Sequence, residues 1–375
     1  MSKEIDRVRT RLTAGLIAVL AALGVAACGS SSSTKTVTAK AGGGTSSSSS
    51  SGGSSVGGAT TLIGAGSTLV APLLQEWASA YDTAYSVAIT YGPIGSGGGI
   101  TQITGRTVNF GASDAPLTSS EAAACKGCLE IPWALAATSV AYNVKGVPNN
   151  LKLTGPVLAD MFTGKITSWN DPQIAKLNPG VKLPDTKVVP IHRTDGSGDT
   201  YAFTNYLSHV DPAFKSSIGA ATTVNWPGGL GAKGNSGVGG ALQSTDGGIA
   251  YIAIAYVLQN KFDFALVQNA AGKYPVPGPP SIAAAAAAVK TIPAGGTAGI
   301  SLVDPPASAP DAYPISTFTY VIIPKTGNSA AVAAGMKKFI GWAITTGQVG
   351  VQKLDFAPLP APVVAADKQT IQQIQ

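Results

Sequence analysis

Apolar and polar positions alternate in short runs along much of this chain, and between those runs the spacing becomes helical. Residues 61–63 read as a short strand, and Val87, Ile89 and Tyr91 alternate with their neighbours in a second strand over 86–91. A third strand spans 108–114 and ends on a carboxylate, Asp114. Residues 131–142 are apolar enough for a buried strand, and further strands are expected at 188–191, 248–252 and 317–324. Helices fall between them. Leu69, Leu73, Leu74, Trp77, Ala78 and Tyr81 lie on one helical stripe, and shorter helices are expected at 100–104, 119–124 and 154–162. Others start at Thr200 and after Val238, and the alanine-rich run 282–289 has high helix propensity. The amphipathic run 330–346 carries Met336, Phe339, Ile340, Trp342 and Ala343 at its apolar positions. Strands alternating with helices imply parallel α/β layering, in which ligands sit at the carboxyl ends of the strands. A second α/β unit begins near Lys145, and no internal repeat of fixed period is visible.

The N-terminus departs from this pattern. Lys3, Arg7, Arg9 and Arg11 precede an apolar stretch, 14–27, that is shorter than the ~20 residues of a membrane-spanning helix. It ends Val25-Ala26-Ala27-Cys28, small residues before a cysteine, similar to the bacterial lipobox in which that cysteine is lipidated and becomes the mature N-terminus. Residues 1–27 therefore read as a lipoprotein signal peptide. Residues 28–58, almost all Ser, Gly, Thr and Ala, read as a disordered tether. As a flexible coil its root-mean-square span would be roughly 30 Å.

The 375 residues suggest two domains, with 45% hydrophobic residues and 12% charged, about half the usual ~25%. Cleavage before Cys28 removes four basic and two acidic residues and lowers the formal charge from +6 to +4. No Lys/Arg run and no basic stretch interleaved with aromatics is present, so nucleic acid is not an expected partner. Cys125 and Cys128, in Cys-Lys-Gly-Cys, are expected to form a short local disulfide outside the cytoplasm. A zinc site would need more ligands than His192 and His209 offer, so no metal is expected.

Three glycine-rich turns run into helix starts, at Gly64-Ala65-Gly66-Ser67-Thr68, at Gly95-Ser96-Gly97-Gly98-Gly99 and at Gly196-Ser197-Gly198. Such turns present free amides and the positive end of the helix dipole, which suits an anion. Arg193 and Asp195 stand beside the third turn, where an arginine adds charge and a fork of donors.

These runs, with Asn109-Phe110-Gly111-Ala112-Ser113-Asp114-Ala115-Pro116-Leu117 and Gly231-Ala232-Lys233-Gly234-Asn235, occur in one order over roughly residues 60–360. In that order they resemble the periplasmic phosphate-binding proteins of the bacterial high-affinity phosphate ABC transporter. Lys176-Leu177-Asn178-Pro179-Gly180 and Trp342-Ala343 also match. The resemblance implies an α/β, two-lobed periplasmic-binding-protein fold of type II with a hinge between lobes. Lobe I would combine residues 59–144 and 317–375, and lobe II would be 145–316. It implies that Thr68, Leu69 through its amide, Ser96, Asp114, Arg193, Ser197, Gly198 and the position of Asp199 bind inorganic phosphate, with Asp195 supporting Arg193. The partners implied are the permease subunits and ATPase of the importer, and the membrane through a lipid on Cys28. A monomer without cofactor or catalysis is expected.

Asp114 carries a physical argument of its own. A carboxylate beside an anion is unfavourable unless the ligand brings a proton to donate, which phosphate near neutrality does and sulfate does not. Two departures from the family pattern stand out. Leu69 stands where an aromatic is frequent, and Asp199 stands where several members have threonine. Asp199 has two readings: a helix-start cap paired with Arg193, or a second acceptor facing the ligand that favours monobasic phosphate. The rival functions are a phosphate-ester hydrolase and a binder of another oxyanion. Gly196-Ser197-Gly198 lacks the Gly-x-Ser-x-Gly elbow of a hydrolase, and Gly164-Lys165-Ile166-Thr167 lacks the glycine loop of a nucleotide site.

Overall fold

The computed structural model describes residues 61–289, 292 and 300–375. The expected signal peptide, the lipidation residue Cys28 and the tether lie outside the described residues.

The chain opens with β1 (Thr61–Gly66), α1 (Ala71–Tyr85), β2 (Ala88–Pro93), α2 (Ser96–Thr104), β3 (Phe110–Ser113), α3 (Ser119–Cys125) and the long β4 (Cys128–Asn143). It continues through β5 (Lys152–Leu153), α4 (Gly155–Phe162), α5 (Pro172–Leu177), β6 (Val189–Arg193), α6 (Gly198–Val210), α7 (Pro212–Ser217), β7 (Leu230–Ala232) and α8 (Gly234–Ser244). Then follow β8 (Gly248–Ala253), α9 (Ile254–Asn260), β9 (Asp263–Phe264), β10 (Leu266–Val267) and α10 (Pro279–Ala287). The last elements are β11 (Ser316–Pro324), α11 (Ala330–Ala343) and α12 (Ala361–Ile371).

The main sheet has the order β2-β1-β3-β11-β4-β8-β6-β7. Its layering is mixed, which corrects the expectation of a parallel arrangement. β1 lies parallel to β2 and β3, and β6 lies parallel to β7 and β8. β11 runs antiparallel to both β3 and β4, and β4 runs antiparallel to β8. The reason is that β11 comes late in the chain and enters beside β4 from the other end. Sequence periodicity carries no information on which strands pair across such a distance.

β4 joins the two halves of the sheet. Its residues from Cys128 to Ala137 pair with β11, and those from Thr138 to Asn143 pair with β8. One strand therefore leaves one half-sheet and enters the other between Ala137 and Thr138. From Ile131 to Tyr142 every residue of β4 is buried, and so is all of β11, which explains their unbroken apolar runs.

Each half packs helices on its sheet around its own aromatic group. In the first, Trp133 of β4 meets Trp77 of α1 edge-to-face at 5.6 Å, and Phe339 of α11 lies 6.3 Å from Trp133. In the second, Phe203 of α6 stacks on Tyr251 of β8 at 4.8 Å and meets Phe162 of α4 at the same distance. Each such buried ring contributes about 1.5–3 kcal/mol by area. Together these layers form an α/β bilobal fold of the periplasmic-binding-protein kind.

Several elements are absent from the periodicity reading: α5, α7 and α9, the short strands β5, β7, β9 and β10, and α12. α5 and α7 are single capped turns of six residues each, too short to show a 3.6-residue period. They form because Asp171 and Asp211 accept from amides of the first turn and proline occupies its start.

Cys125 and Cys128 are joined as a disulfide at the end of α3. Cys125 is buried with Ile100, Ile103 and Ile322 in a small cluster of its own. Closing so small a loop adds at most about 2 kcal/mol. Changing both cysteines to serine should lower the melting temperature by no more than about 5 °C and leave ligand affinity unchanged, as scanning and titration calorimetry would record. A large loss of affinity would make the pair functional.

Candidate functional site

Four helix N-termini converge where β1, β3 and β6 end. Three belong to the glycine turns read from the sequence, at the starts of α1, α2 and α6. The fourth is α8, which Gly234 enters with a φ of 67° that an L side chain rarely adopts. The sequence folds this way locally because glycines and serines in the turns after the strands leave room for close backbone approach. Gly97 N donates to Gly196 O at 3.0 Å, so the second and third turns touch through main chain. A Cβ on Gly198 would stand 2.5 Å from Asp114 Cβ, and one on Gly95 would collide with the Asp195 carboxylate. Glycine is required at both places for the halves to meet.

Arg193, the last residue of β6, is the charged centre. Its side chain is 1% exposed. Its Nε donates to Asp195 Oδ1 at 2.7 Å and its Nη2 to Asp195 Oδ2 at 2.5 Å, a two-pronged pair. Its Nη1 donates to Asp199 Oδ2 at 3.1 Å. Tyr251 holds the main chain behind it, accepting from Arg193 N at 2.9 Å and bonding the Thr200 hydroxyl at 2.9 Å. Burial works against the guanidinium, but the bonds to Asp195 and the charge of Asp199 outweigh it and hold the pKa above its ordinary value. Asp195 also accepts from Gly234 N at 3.0 Å, and its carboxyl is held below the usual range: burial opposes this, and Arg193 overcomes it.

Asp114 follows β3 and is 1% exposed. Its Oδ2 accepts from Ser67 Oγ at 2.5 Å and from Ser96 Oγ at 3.4 Å. Among the described residues its buried Oδ1 has no partner at hydrogen-bond geometry, although the Thr319 hydroxyl lies close enough to act on the carboxyl. Burial, then the charge of Asp199, pushes this carboxyl up to about 7, against the pull of Ser67, Thr319 and Arg193.

Asp199, in the first turn of α6, accepts from Thr138 Oγ1 at 2.8 Å on one oxygen. On the other it accepts from Arg193 and from Asn235 Nδ2, the latter at 2.9 Å. It is paired with Arg193, as one of its two sequence readings has it, but it does not cap the helix. Ser197 does that, accepting from Thr200 N at 3.3 Å. Burial raises the Asp199 pKa, and Arg193, Thr138 and Asn235 counteract it.

The remaining expected residues lie in the same cluster. Ser96 Oγ accepts from Gly198 N at 3.1 Å and from Asp114 N at 3.3 Å. Leu69 N donates to Ser67 Oγ at 3.0 Å. Thr68 Oγ1 accepts from Asn235 Nδ2 at 2.9 Å and from Asn235 N at 3.2 Å. Thr68, Leu69, Ser96, Asp114, Arg193, Asp195, Ser197, Gly198 and Asp199 are thus brought together. Ser67, Thr138 and Asn235 join them without having been singled out. Ser67 and Asn235 stand inside runs whose glycine pattern was visible. Thr138 gave no signal, being one of two adjacent hydroxyl residues in an otherwise apolar run.

A cavity of about 240 Å³ opens beside the cluster, lined by Thr68, Asp195, Lys233, Asn235 and Tyr256 among others. It is smaller than the ~300–1,000 Å³ of organic-ligand pockets. A larger surface hollow of about 420 Å³ between Trp77 and Trp342 shares no residue with it. No hydrogen bond joins Ser197 to His192 among the described residues. His192 packs on Trp226 at 6.0 Å, and its Nδ1 lies 3.2 Å from Arg193 O. Ser197 and His192 thus do not form a nucleophile with its base. Among the described residues no group of three His, Cys, Asp or Glu side chains is arranged to hold a metal.

The closeness of Asp114 to Gly198 yields a direct expectation. Gly198→Ala puts a methyl where the two halves touch, and such overpacking costs about 1–3 kcal/mol. Ligand affinity should fall about 5- to 150-fold by calorimetry, with a lesser effect on the ligand-free melting temperature. Unchanged affinity would mean that this approach is not part of the bound state.

Comparison with known proteins shows the family to which the chain belongs. Residues 25–346 match the family model described as a PBP superfamily domain. The chain is 41% identical over 302 residues to the phosphate-binding protein PstS of Xylella fastidiosa (strain Temecula1), covering 80% of this chain and 82% of that one. It is 38% identical over 307 residues to the PstS of Pasteurella multocida, covering 82% and 88%. In fold it is similar to the crystal structure of a phosphate-binding protein from Stenotrophomonas maltophilia. The TM-score there is 0.64 at 20% identity, over 83% of this chain and 94% of that one. The chain belongs to the PstS family of solute-binding proteins, within the PBP superfamily.

Proposed function

We propose that this protein captures one inorganic phosphate between its two lobes and delivers it to an ABC importer, without chemical turnover. The observation that carries the reading is Asp114 Oδ1, a buried oxygen without a partner at hydrogen-bond geometry among the described residues, set beside Arg193 and the helix starts. In its ionised form this carboxylate offers a fully deprotonated oxyanion only repulsion, whereas a protonated phosphate oxygen can donate to it. The other groups suit the rest of the ion. Thr68, Ser96 and Ser197 carry hydroxyls, and Arg193 carries the charge. The amides of Leu69 and Gly198, which now donate to Ser67 and Ser96, are donors that phosphate oxygens can engage. Asp199 already has three donors, which supports its role as the partner of Arg193 more than as a second acceptor.

On this reading residues 59–137 and 317–375 form one lobe and 138–316 the other; β4 carries the hinge where it changes half-sheets, between Ala137 and Thr138, ahead of the boundary at 144 read from the sequence. Residues 1–27 direct export, Cys28 takes a lipid, and 28–58 tether a monomer to a membrane on its extracytoplasmic side, in a periplasm or at the outer face of the cell. There it meets the permease, whose ATPase works from the cytoplasmic side. Supporting this, the relatives that match over four-fifths of the chain are named for phosphate binding.

Titration calorimetry on protein stripped of carried-over phosphate tests the proposal. Phosphate should bind at one site per chain, sulfate and molybdate should compete poorly, and a chromogenic phosphate ester should not be hydrolysed. Preferred binding of another oxyanion, or turnover of the ester, would overturn it.

A further inference from the structure

Asn235 is wholly buried at the first turn of α8, and all of its side-chain polar atoms are engaged. Its Oδ1 accepts from Ala253 N at 2.9 Å. That bond decides which end of the amide faces which way, so that Nδ2 faces the cluster with both of its hydrogens. One goes to Asp199 Oδ2 on its own half of the molecule, and the other to Thr68 Oγ1 at the start of α1 on the opposite half. The main-chain amide of Asn235 donates to the same Thr68 oxygen.

A hydroxyl has two acceptor positions and one hydrogen. Asn235 occupies both acceptor positions of Thr68. The Thr68 hydrogen must therefore point away from Asn235, and among the described hydrogen bonds no protein acceptor takes it. Thr68 and Asn235 both line the cavity of about 240 Å³. Without the Asn235 side chain only the main-chain amide of residue 235 would still donate to Thr68, and the released acceptor position could turn a lone pair towards the cavity instead of the hydrogen.

We propose that Asn235 is a positioning residue that forms its bonds to Thr68 on lobe closure and thereby presents the Thr68 hydroxyl to the ligand as a donor only. The same amide reports on the Arg193 side of the site through Asp199, so one side chain ties the two halves together at the ligand. This deepens the phosphate reading and rests on it. The residue adds a second discrimination to that of Asp114: Thr68 is held to offer hydrogen to an acceptor oxygen, and a ligand group that can only donate finds no partner there.

Calorimetry and stopped-flow binding with inorganic phosphate test the role, on wild type, Asn235→Ala, Asn235→Asp, Thr68→Val and the double variant Asn235→Ala with Thr68→Val. Asn235→Asp keeps the size and the acceptor for Ala253 N while removing the donor, so it separates the role from folding. Asn235→Ala and Thr68→Val should each weaken phosphate on the order of 10- to 100-fold, mainly through faster release. The double variant should lose clearly less than the product of the two single losses, because the part of Asn235's effect that runs through that hydroxyl is already gone in Thr68→Val, leaving only the part due to the Asp199 bond. Asn235→Asp should bind at least as weakly as Asn235→Ala, since it sets a second carboxylate against Asp199. Independent, multiplicative losses in the double variant would overturn the inference, and so would wild-type affinity in Asn235→Asp. Failure of wild type itself to bind phosphate would overturn the functional reading and this inference with it.

Discussion

Arg193→Ala is expected to reduce phosphate affinity by a factor of about 30 to several thousand, since truncating one partner of a buried, hydrogen-bonded charge pair typically costs ~2–5 kcal/mol. The physical reason is the company this arginine keeps. It bonds the carboxylates of Asp195 and Asp199, and Asp114 feels its charge. Without the guanidinium three carboxylates would face an incoming anion with no cation among them. Two of those carboxylates would also lose their bonded partner, so the ligand-free protein should melt at a lower temperature. Arg193→Lys should recover little, because an ammonium cannot satisfy both oxygens of Asp195 and reach Asp199 at once. Calorimetry on stripped protein measures the loss, and an unchanged affinity would remove Arg193 from the site.

Asp114→Asn is expected to weaken phosphate and to admit sulfate. An asparagine amide donates to an unprotonated oxygen, so the repulsion that excludes sulfate disappears along with the acceptor that selects phosphate. A bond to an ionised group contributes about 1.5–3 kcal/mol, which sets the expected loss at roughly 10- to 150-fold. Competition calorimetry with sulfate decides it, and continued exclusion of sulfate would locate the discrimination elsewhere. The same variant tests the titration of the group. In the fold the Asp114 carboxyl is pushed up to about 7, while an unfolded aspartate titrates near ~3.9. Between those values the folded, ligand-free protein binds the proton that the unfolded chain has released, so its stability falls as pH rises through this window. The destabilisation is complete above about pH 7 and absent below about pH 4. Ligand-free Asp114→Asn should therefore melt higher than wild type at pH 8, with the difference vanishing towards pH 4.

The order of elements was legible because their signals are local. The alternation of Val87, Ile89 and Tyr91 marks β2, and the stripe from Leu73 to Tyr81 marks α1. The three glycine turns likewise announced three of the four helix starts at the site. Pairing was not legible. Nothing near residue 316 says that β11 lies between β3 and β4, because that position is fixed by burial on both faces and not by sequence neighbours. Asn235 and Thr138 were missed for a related reason. Each acts by meeting a residue from another part of the chain, Thr68 in one case and Asp199 in the other, and a polar residue in an apolar or glycine-rich run shows none of this. Asp199 was half legible: its pairing with Arg193 follows from spacing, but the helix cap that one of its two readings gave it belongs to Ser197.

The late arrival of β11 also governs when this molecule can fold. A nascent chain emerges N-terminus first, and by residue 143 it has delivered β1 to β4. The place between β3 and β4 nevertheless stays empty until residues 316–324 are made. A growing chain thus exposes the edges of both strands until synthesis is nearly complete, and long-range pairing of this kind is intrinsically slow. Completion of the first half-sheet therefore waits until most of the chain has been made. A polypeptide that must be threaded through a narrow translocation channel gains from this delay, since it remains threadable and open to chaperones for the time that transport takes.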